Sequence, residues 1–128
     1  MIERHVLVID DDVKSLEVLA EMLGALDVSA TVVADVSKLD AILQTIGHID
    51  LALVDLEMPL MNGYEVLKYL RDDLGMSMPI VACTVYANEI ANAKSSGFDG
   101  FIGKPLKFRH FPTQFERILN GEGVWEAH

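Results

Sequence analysis

The stretch Val6-Leu7-Val8-Ile9-Asp10-Asp11-Asp12 decides the fold. Four aliphatic residues in a row, without polar alternation, mark a strand covered on both faces, as in a parallel sheet. The run then breaks abruptly into three carboxylates. Leu51-Ala52-Leu53-Val54-Asp55 repeats the pattern with a single acid at its end. A carboxylate pair directly after a buried strand is a poor structural choice unless a cation compensates it. Both the architecture and the chemistry of the chain are therefore sought at the ends of its strands.

Working outward, apolar runs of strand length recur at 5–9, 29–34, 49–54, 79–84 and 100–102. The stretches between them have helical period. Leu16, Leu19, Ala20 and Leu23 form one stripe; Val66, Leu67, Leu70 and Leu74 form another; Phe111, Phe115, Ile118 and Leu119 form the last. Gly24, Gly47, Gly75, Gly97 and Gly121 stand where helices should stop, and Asp35 and Ser37 stand where one should start. Pro112 fits the first turn of the last helix better than its interior. Five β–α units in about 120 residues predict a doubly wound, five-stranded parallel sheet with helices on both faces, an α/β fold. One domain over residues 1–121 is expected, with 122–128 a short tail outside the core in which Trp125 packs back on the domain.

Composition narrows the function classes. The 128 residues carry 20 acids against 10 Lys and Arg, a net charge of −10, with 51% apolar residues. A phosphate-tracking nucleic-acid surface is usually basic, so such binding is not expected. Single Cys83 forms no internal disulfide and reads as a small buried hydrophobe. His5, His48, His110 and His128 have no ligand spacing. No apolar run approaches membrane-span length, and the N-terminus has no signal-peptide pattern, so a cytoplasmic protein is expected.

In open α/β sheets, ligands bind beyond the carboxyl ends of the strands. There the chain offers Asp10, Asp11 and Asp12, then Asp55, then Thr84, then Lys104-Pro105. Carboxylates converging on one point stay ionised only with a cation among them. Hard oxygen donors without Cys or His select Mg²⁺, Ca²⁺ or Mn²⁺, and Mg²⁺ characteristically shares its shell with phosphate oxygens. A lone carboxylate on its own strand can then act as a nucleophile toward phosphorus. Lys104 and the Thr84 hydroxyl would neutralise and hydrogen-bond phosphoryl oxygens. Asp12 reads as a helix N-cap rather than a ligand.

These motifs, Val6 to Asp12, Leu53-Val-Asp55-Leu-Glu-Met58-Pro59 with Asn62-Gly63, Ala82-Cys-Thr84 and Phe101-Ile-Gly-Lys104-Pro105, resemble a response-regulator receiver domain of two-component signalling. The resemblance covers about residues 4–120 and is to the stand-alone, single-domain type. It implies a flavodoxin-like sheet of strand order 2-1-3-4-5. It implies that Asp55 accepts a phosphoryl group and that Asp10, Asp11, Asp55 and the Glu57 backbone carbonyl hold Mg²⁺, with Mn²⁺ a substitute. Thr84 and Lys104 would bind phosphoryl oxygens, Thr84 and Phe101 would form the switch, and the Lys104–Pro105 bond would be cis. Glu57, Val85 and Tyr86 stand at positions that tune phosphoryl lifetime, and a branched side chain at 85 departs from the small residue usual there.

The implied partners are a sensor histidine kinase or histidine phosphotransfer protein upstream and another protein downstream. No DNA-binding domain and no enzymatic activity beyond self-phosphorylation and autodephosphorylation are expected, and a phosphorylation-dependent homodimer remains open. Val18 and Met22, a turn apart and opposite the core stripe of the first helix, mark an expected kinase contact. Two other readings compete. A receiver-like binding module that never takes phosphate is opposed by the intact acidic, hydroxyl and lysine set. A haloacid-dehalogenase-type phosphatase wants Thr or Val where Lys14 stands, and the opposite chain order. Residues 1–86 hold 15 acids and 5 bases, whereas 87–121 hold 3 acids and 5 bases. The expected switch surface, around the fourth helix, fifth strand and fifth helix, is thus mildly basic and matches an acidic patch on a partner.

Overall fold

The computed structural model describes residues 3–126. Five strands fall where the apolar runs predict them: β1 (His5–Ile9), β2 (Ser29–Val33), β3 (Leu51–Val54), β4 (Ile80–Thr84) and β5 (Gly100–Gly103). They alternate with α1 (Val13–Ala25), α2 (Leu39–Leu43), α3 (Gly63–Lys68), α4 (Ile90–Ser96) and α5 (Phe111–Leu119). Every strand pair is parallel. The sheet order is β2-β1-β3-β4-β5, extended by β6 (Val124–Glu126) beside β5. The doubly wound α/β architecture is therefore as expected, with one strand more.

That sixth strand corrects the expectation of a tail lying outside the core. Val124 is buried and pairs with Gly100, so residues 124–126 belong to the sheet. Three residues with one clear apolar position are too short for a period-2 signal. Trp125 packs on the domain, as expected. His128 lies outside the described residues.

Each central strand is buried on both faces because it feeds two cores. Leu7, Ile9, Ala52, Val54, Ala82 and Phe101 face the side covered by α2, α3 and α4. Val6, Val8, Leu51, Leu53, Val81 and Ile102 face the side of α1 and α5. That division explains the continuous aliphatic runs. α5 begins at Phe111 with Pro112 in its first turn, and its buried stripe includes Phe111, Phe115 and Ile118. Asp12 caps α1 through its side chain, accepting from the Lys14 N–H. Asp35 likewise caps the short 3₁₀ turn at Val36–Lys38.

Two helical stripes differ from expectation. On α1 the buried face is Leu16, Leu19, Met22 and Leu23, while Ala20 is exposed. Met22 is 3% exposed, so the expected Val18–Met22 surface pair does not exist. Met22 lies on the flank of the stripe, and its long unbranched side chain reaches the core from there. At the end of α3 the backbone widens into a π-type turn over Tyr69–Asp73. The wider turn rotates Leu74 out of the stripe, and it is exposed. Arg71 braces this turn, donating to the Met76 carbonyl at 2.8 Å and pairing with Asp99.

Candidate functional site

Four neighbouring strands deliver one site. Asp10 and Asp55 each stand one residue past their strand, and their N–H groups extend the ladder by donating to the carbonyls of Val33 and Ile9. Thr84 is the last residue of β4, and Lys104 follows β5, donating its N–H to the Thr84 carbonyl at 2.8 Å. The parallel register puts all four at the same edge of the sheet.

The structure brings Asp10, Asp11 and Asp55 together, with one oxygen of each within 4.8 Å of the others. Asp10 and Asp55 are buried and Asp11 is exposed, so the cluster opens to solvent on one side. Lys104 Nζ lies 2.5 Å from Asp10 Oδ2 and 3.9 Å from Asp55 Oδ2, bridging the two buried carboxylates. Asp10 also accepts the Asp12 N–H at 2.9 Å, and Asp55 accepts the Glu57 N–H at 3.5 Å. Burial pushes the Asp55 carboxyl up to about 6; Lys104 opposes that rise and Asp10 reinforces it. Burial alone would lower the Lys104 ammonium, but the Asp10 hydrogen bond and the field of Asp55 outweigh it and hold its pKa above the ordinary lysine value.

Three carboxylates against one ammonium leave a local charge of −2. An all-oxygen donor set with that deficit fits a divalent hard cation such as Mg²⁺ or Mn²⁺. Cys83 takes no part: it is buried inside β4, with its thiol pushed up to about 12 by desolvation.

Around this centre, Thr84 is buried and its Oγ1 accepts the Tyr86 N–H at 3.3 Å. Phe101 is completely buried in the middle of β5, and the Lys104–Pro105 bond is cis. Val85 and Tyr86 are exposed at the rim. Gly63 carries more than a turn signal. A Cβ on it would stand 2.4 Å from the Asp55 carbonyl oxygen, so only glycine lets the α3 N-terminus approach the Asp55 backbone. Asn62 and Glu65 form a reciprocal capping box beside it. The Asn-x-x-Glu spacing is legible in sequence; the close approach is not.

One candidate feature escaped sequence reading. An apolar groove of about 420 Å³ runs beside Lys104, lined by Val18, Val85, Pro105, Leu106 and Phe108 among others. Phe108 is 60% exposed. The signal available was an aromatic residue set among Lys107, Arg109 and His110, where a solvated loop would not need one.

A family model described as the response regulator receiver domain matches residues 6–116. The chain belongs to the response-regulator receiver family. It is 34% identical over 106 residues to the sensor histidine kinase RcsC of Escherichia coli, covering 79% of this chain and 11% of that protein. It is 30% identical over 104 residues to the DNA-binding response regulator MtrA of Mycobacterium leprae, covering 81% of this chain and 46% of that protein. The receiver thus spans less than half the length of these curated relatives. Among solved structures, the chemotaxis protein CheY4 of Vibrio cholerae superposes with a TM-score of 0.79 at 22% identity, covering 91% of this chain and 99% of that one. A CheY-like receiver domain protein from Methanospirillum hungatei gives 0.80 at 24% identity, covering 93% and 95%. These confirm the receiver fold. Among the described residues, no helix is long and apolar enough to cross a membrane.

Proposed function

We propose that this receiver takes a phosphoryl group on Asp55 from a phosphohistidine of a sensor kinase or phosphotransfer protein. A carboxylate oxygen bonds to phosphorus as the donor's P–N bond breaks and its imidazole leaves. The observation that carries this reading is the convergence of Asp10, Asp11 and Asp55 with Lys104 bridging two of them. Asp10, Asp11, Asp55 and the Glu57 backbone carbonyl are the residues to hold Mg²⁺ or Mn²⁺, which when bound neutralises carboxylate and phosphoryl charge. Lys104 is positioned to exchange part of its Asp10 contact for a phosphoryl oxygen. Thr84 gives its hydroxyl to another, and the Phe101 ring fills the space behind it. That exchange biases the surface formed by α4, β5 and α5, through which a downstream protein is contacted. Glu57, Val85 and Tyr86 at the rim set the lifetime of the phosphoryl group.

The phosphodonor docks on the groove beside Lys104. Val18 of α1, Val85 and Phe108 expose apolar surface within reach of the same site, where a donor protein must lie to present its histidine. The proposed setting is the cytoplasm. Intact-mass measurement after incubation with Mg²⁺ and acetyl phosphate tests the central claim. The expected result is one phosphoryl adduct on the wild type and none on Asp55→Ala. No adduct on the wild type refutes it.

A further inference from the structure

The face assigned above to output is not free. β6 lies parallel along the open edge of β5, in register Gly100 to Val124, Phe101 to Trp125 and Ile102 to Glu126. Its three residues are anchored on both faces of the sheet. Val124 is buried in the core shared with α5. Trp125 packs on the opposite core, with Lys94 of α4 standing 5.2 Å from its ring centroid, a cation–π contact. Glu126 accepts from Gln114 at 2.7 Å and lies 3.5 Å from Arg117, both on α5. Three residues therefore touch α4, β5 and α5 together.

The fit is shaped on both sides. A Cβ at Gly100 would meet the Val124 carbonyl oxygen at 3.0 Å, and one at Gly123 would meet the Trp125 indole nitrogen at 2.8 Å. The two glycines make room for the β6 backbone and for the indole. Yet β6 is short, and Trp125 and Glu126 are only half-buried. A three-residue edge strand held by one buried side chain and a few partly solvated polar contacts belongs to the low-stability end of a fold. Trp125 also stands next to Phe101 across the strand pair, on the same face. The indole is thus a direct cross-strand neighbour of the ring assigned above to the switch.

We propose that residues 124–126 are a displaceable built-in occupant of the α4–β5–α5 face. They cover the β5 edge at rest and leave it on activation, opening the face to an extended partner segment of the same chemistry: a small apolar residue, an aromatic and a carboxylate in succession, added parallel to β5. The aromatic stacks under Lys94 and the carboxylate meets Gln114 and Arg117. Strand addition to an edge supplies the main-chain bonds, and these side-chain sites supply the specificity. The mild positive charge of residues 87–121 agrees with an acidic segment. This proposal rests on the phosphoacceptor reading.

Trp125 is the single tryptophan, so its fluorescence reports on β6 in the full chain. Loading with Mg²⁺ and beryllium fluoride is expected to raise acrylamide quenching of Trp125 about twofold and to speed hydrogen exchange of the β6 amides at least tenfold. A synthetic peptide with the sequence of residues 122–126 is expected to bind Glu126→Lys, whose own strand is loosened while the face is unaltered, at least about tenfold more tightly than the resting wild type. Glu126→Lys, which removes the α5 anchor, is expected to show the raised quenching without loading. If acetyl phosphate gives a phosphoryl adduct by intact mass while quenching and exchange at β6 stay unchanged, the occupant proposal is overturned and the phosphoacceptor reading stands. If no adduct forms, the phosphoacceptor reading falls and the occupant proposal with it.

Discussion

Asp55 carries a proton far more readily in the folded chain than in the unfolded one, because burial raises its pKa from 3.8 to about 6. A raised carboxylate pKa stabilises the fold while the group is protonated, and that contribution is lost as pH rises through about 6. Metal-free protein should therefore lose thermal stability between pH 4 and 7 relative to Asp55→Asn, which has no such proton to release. Divalent cations bind the ionised form, so 10 mM Mg²⁺ should raise the melting temperature clearly at pH 7.5 and hardly at pH 5, with apparent affinity falling up to about tenfold per pH unit below 6. Thermal denaturation at several pH values, with and without Mg²⁺, checks both signs. Gly63 sets a different residue-scale limit. Its Cβ position is occupied by the Asp55 and Leu56 backbone, which cannot yield as a side-chain tip would. Gly63→Ala should cost about 2 kcal/mol or more in urea unfolding and should also lower phosphorylation, since the displaced atoms carry Asp55. Asp10, Asp11, Asp55, Thr84 and Lys104 were legible because each ends or follows an aliphatic run. Gly63 was legible only as a turn, since an approach between residues 55 and 63 is a fact of packing.

At the scale of elements, α1 and the loop after β5 meet in the groove beside the acidic site, and α1 shows how far periodicity reaches. A stripe drawn through Leu16, Leu19, Ala20 and Leu23 is off by about one position, and the error moves Met22 from surface to core. Substitutions separate the two faces. Val18→Lys should leave stability within about 0.5 kcal/mol, as for most surface changes, whereas Met22→Lys should cost about 3 kcal/mol or more by burying a charge. In phosphotransfer, Val18→Lys and Phe108→Asp should slow labelling by a histidine kinase while sparing labelling by acetyl phosphate. Equal loss from both donors would remove the groove as a docking surface. α4 has the opposite character. Among its residues only Ala93 is buried, whereas α5 buries Phe111, Gln114, Phe115 and Ile118. Tyr64 of α3 touches both ends of α4, donating at 2.5 Å to Glu89 just before its first residue and packing edge-on against Phe98 just after its last turn. Amides of α4 should exchange at least tenfold faster than those of α5 by hydrogen exchange, as the switching proposed for this surface requires.

For the whole molecule, the parallel sheet was readable because β1 from Val6 onward and β3 are aliphatic throughout and most of its helices end within a few residues of a glycine, with Gly97 itself capping α4. β6 was not, because a strand of three residues takes its identity from the edge it joins. Its presence changes the charge argument as well. The net −10 divides into an acidic stretch over residues 1–86, a mildly basic one over 87–121 and a tail holding Glu122 and Glu126. The tail's acids do not stand apart: Glu126 and Glu122 both pair with Arg117, so the chain already neutralises part of its own basic face. Val124 measures how firmly. If residues 122–128 lay outside the core, Val124→Ala would change stability by less than about 0.5 kcal/mol. Buried against Gly100 and the α5 side of the sheet, it should cost about 1–2 kcal/mol in urea unfolding. That loss is bounded by the free energy holding β6 in place, because beyond it the strand simply opens while the rest of the sheet stays folded. A ligand that binds the open face should then recover most of the loss in Val124→Ala and leave the stability of the resting wild type unchanged. A loss near zero would mean that β6 is already open at rest, leaving the α4–β5–α5 face exposed before any signal arrives.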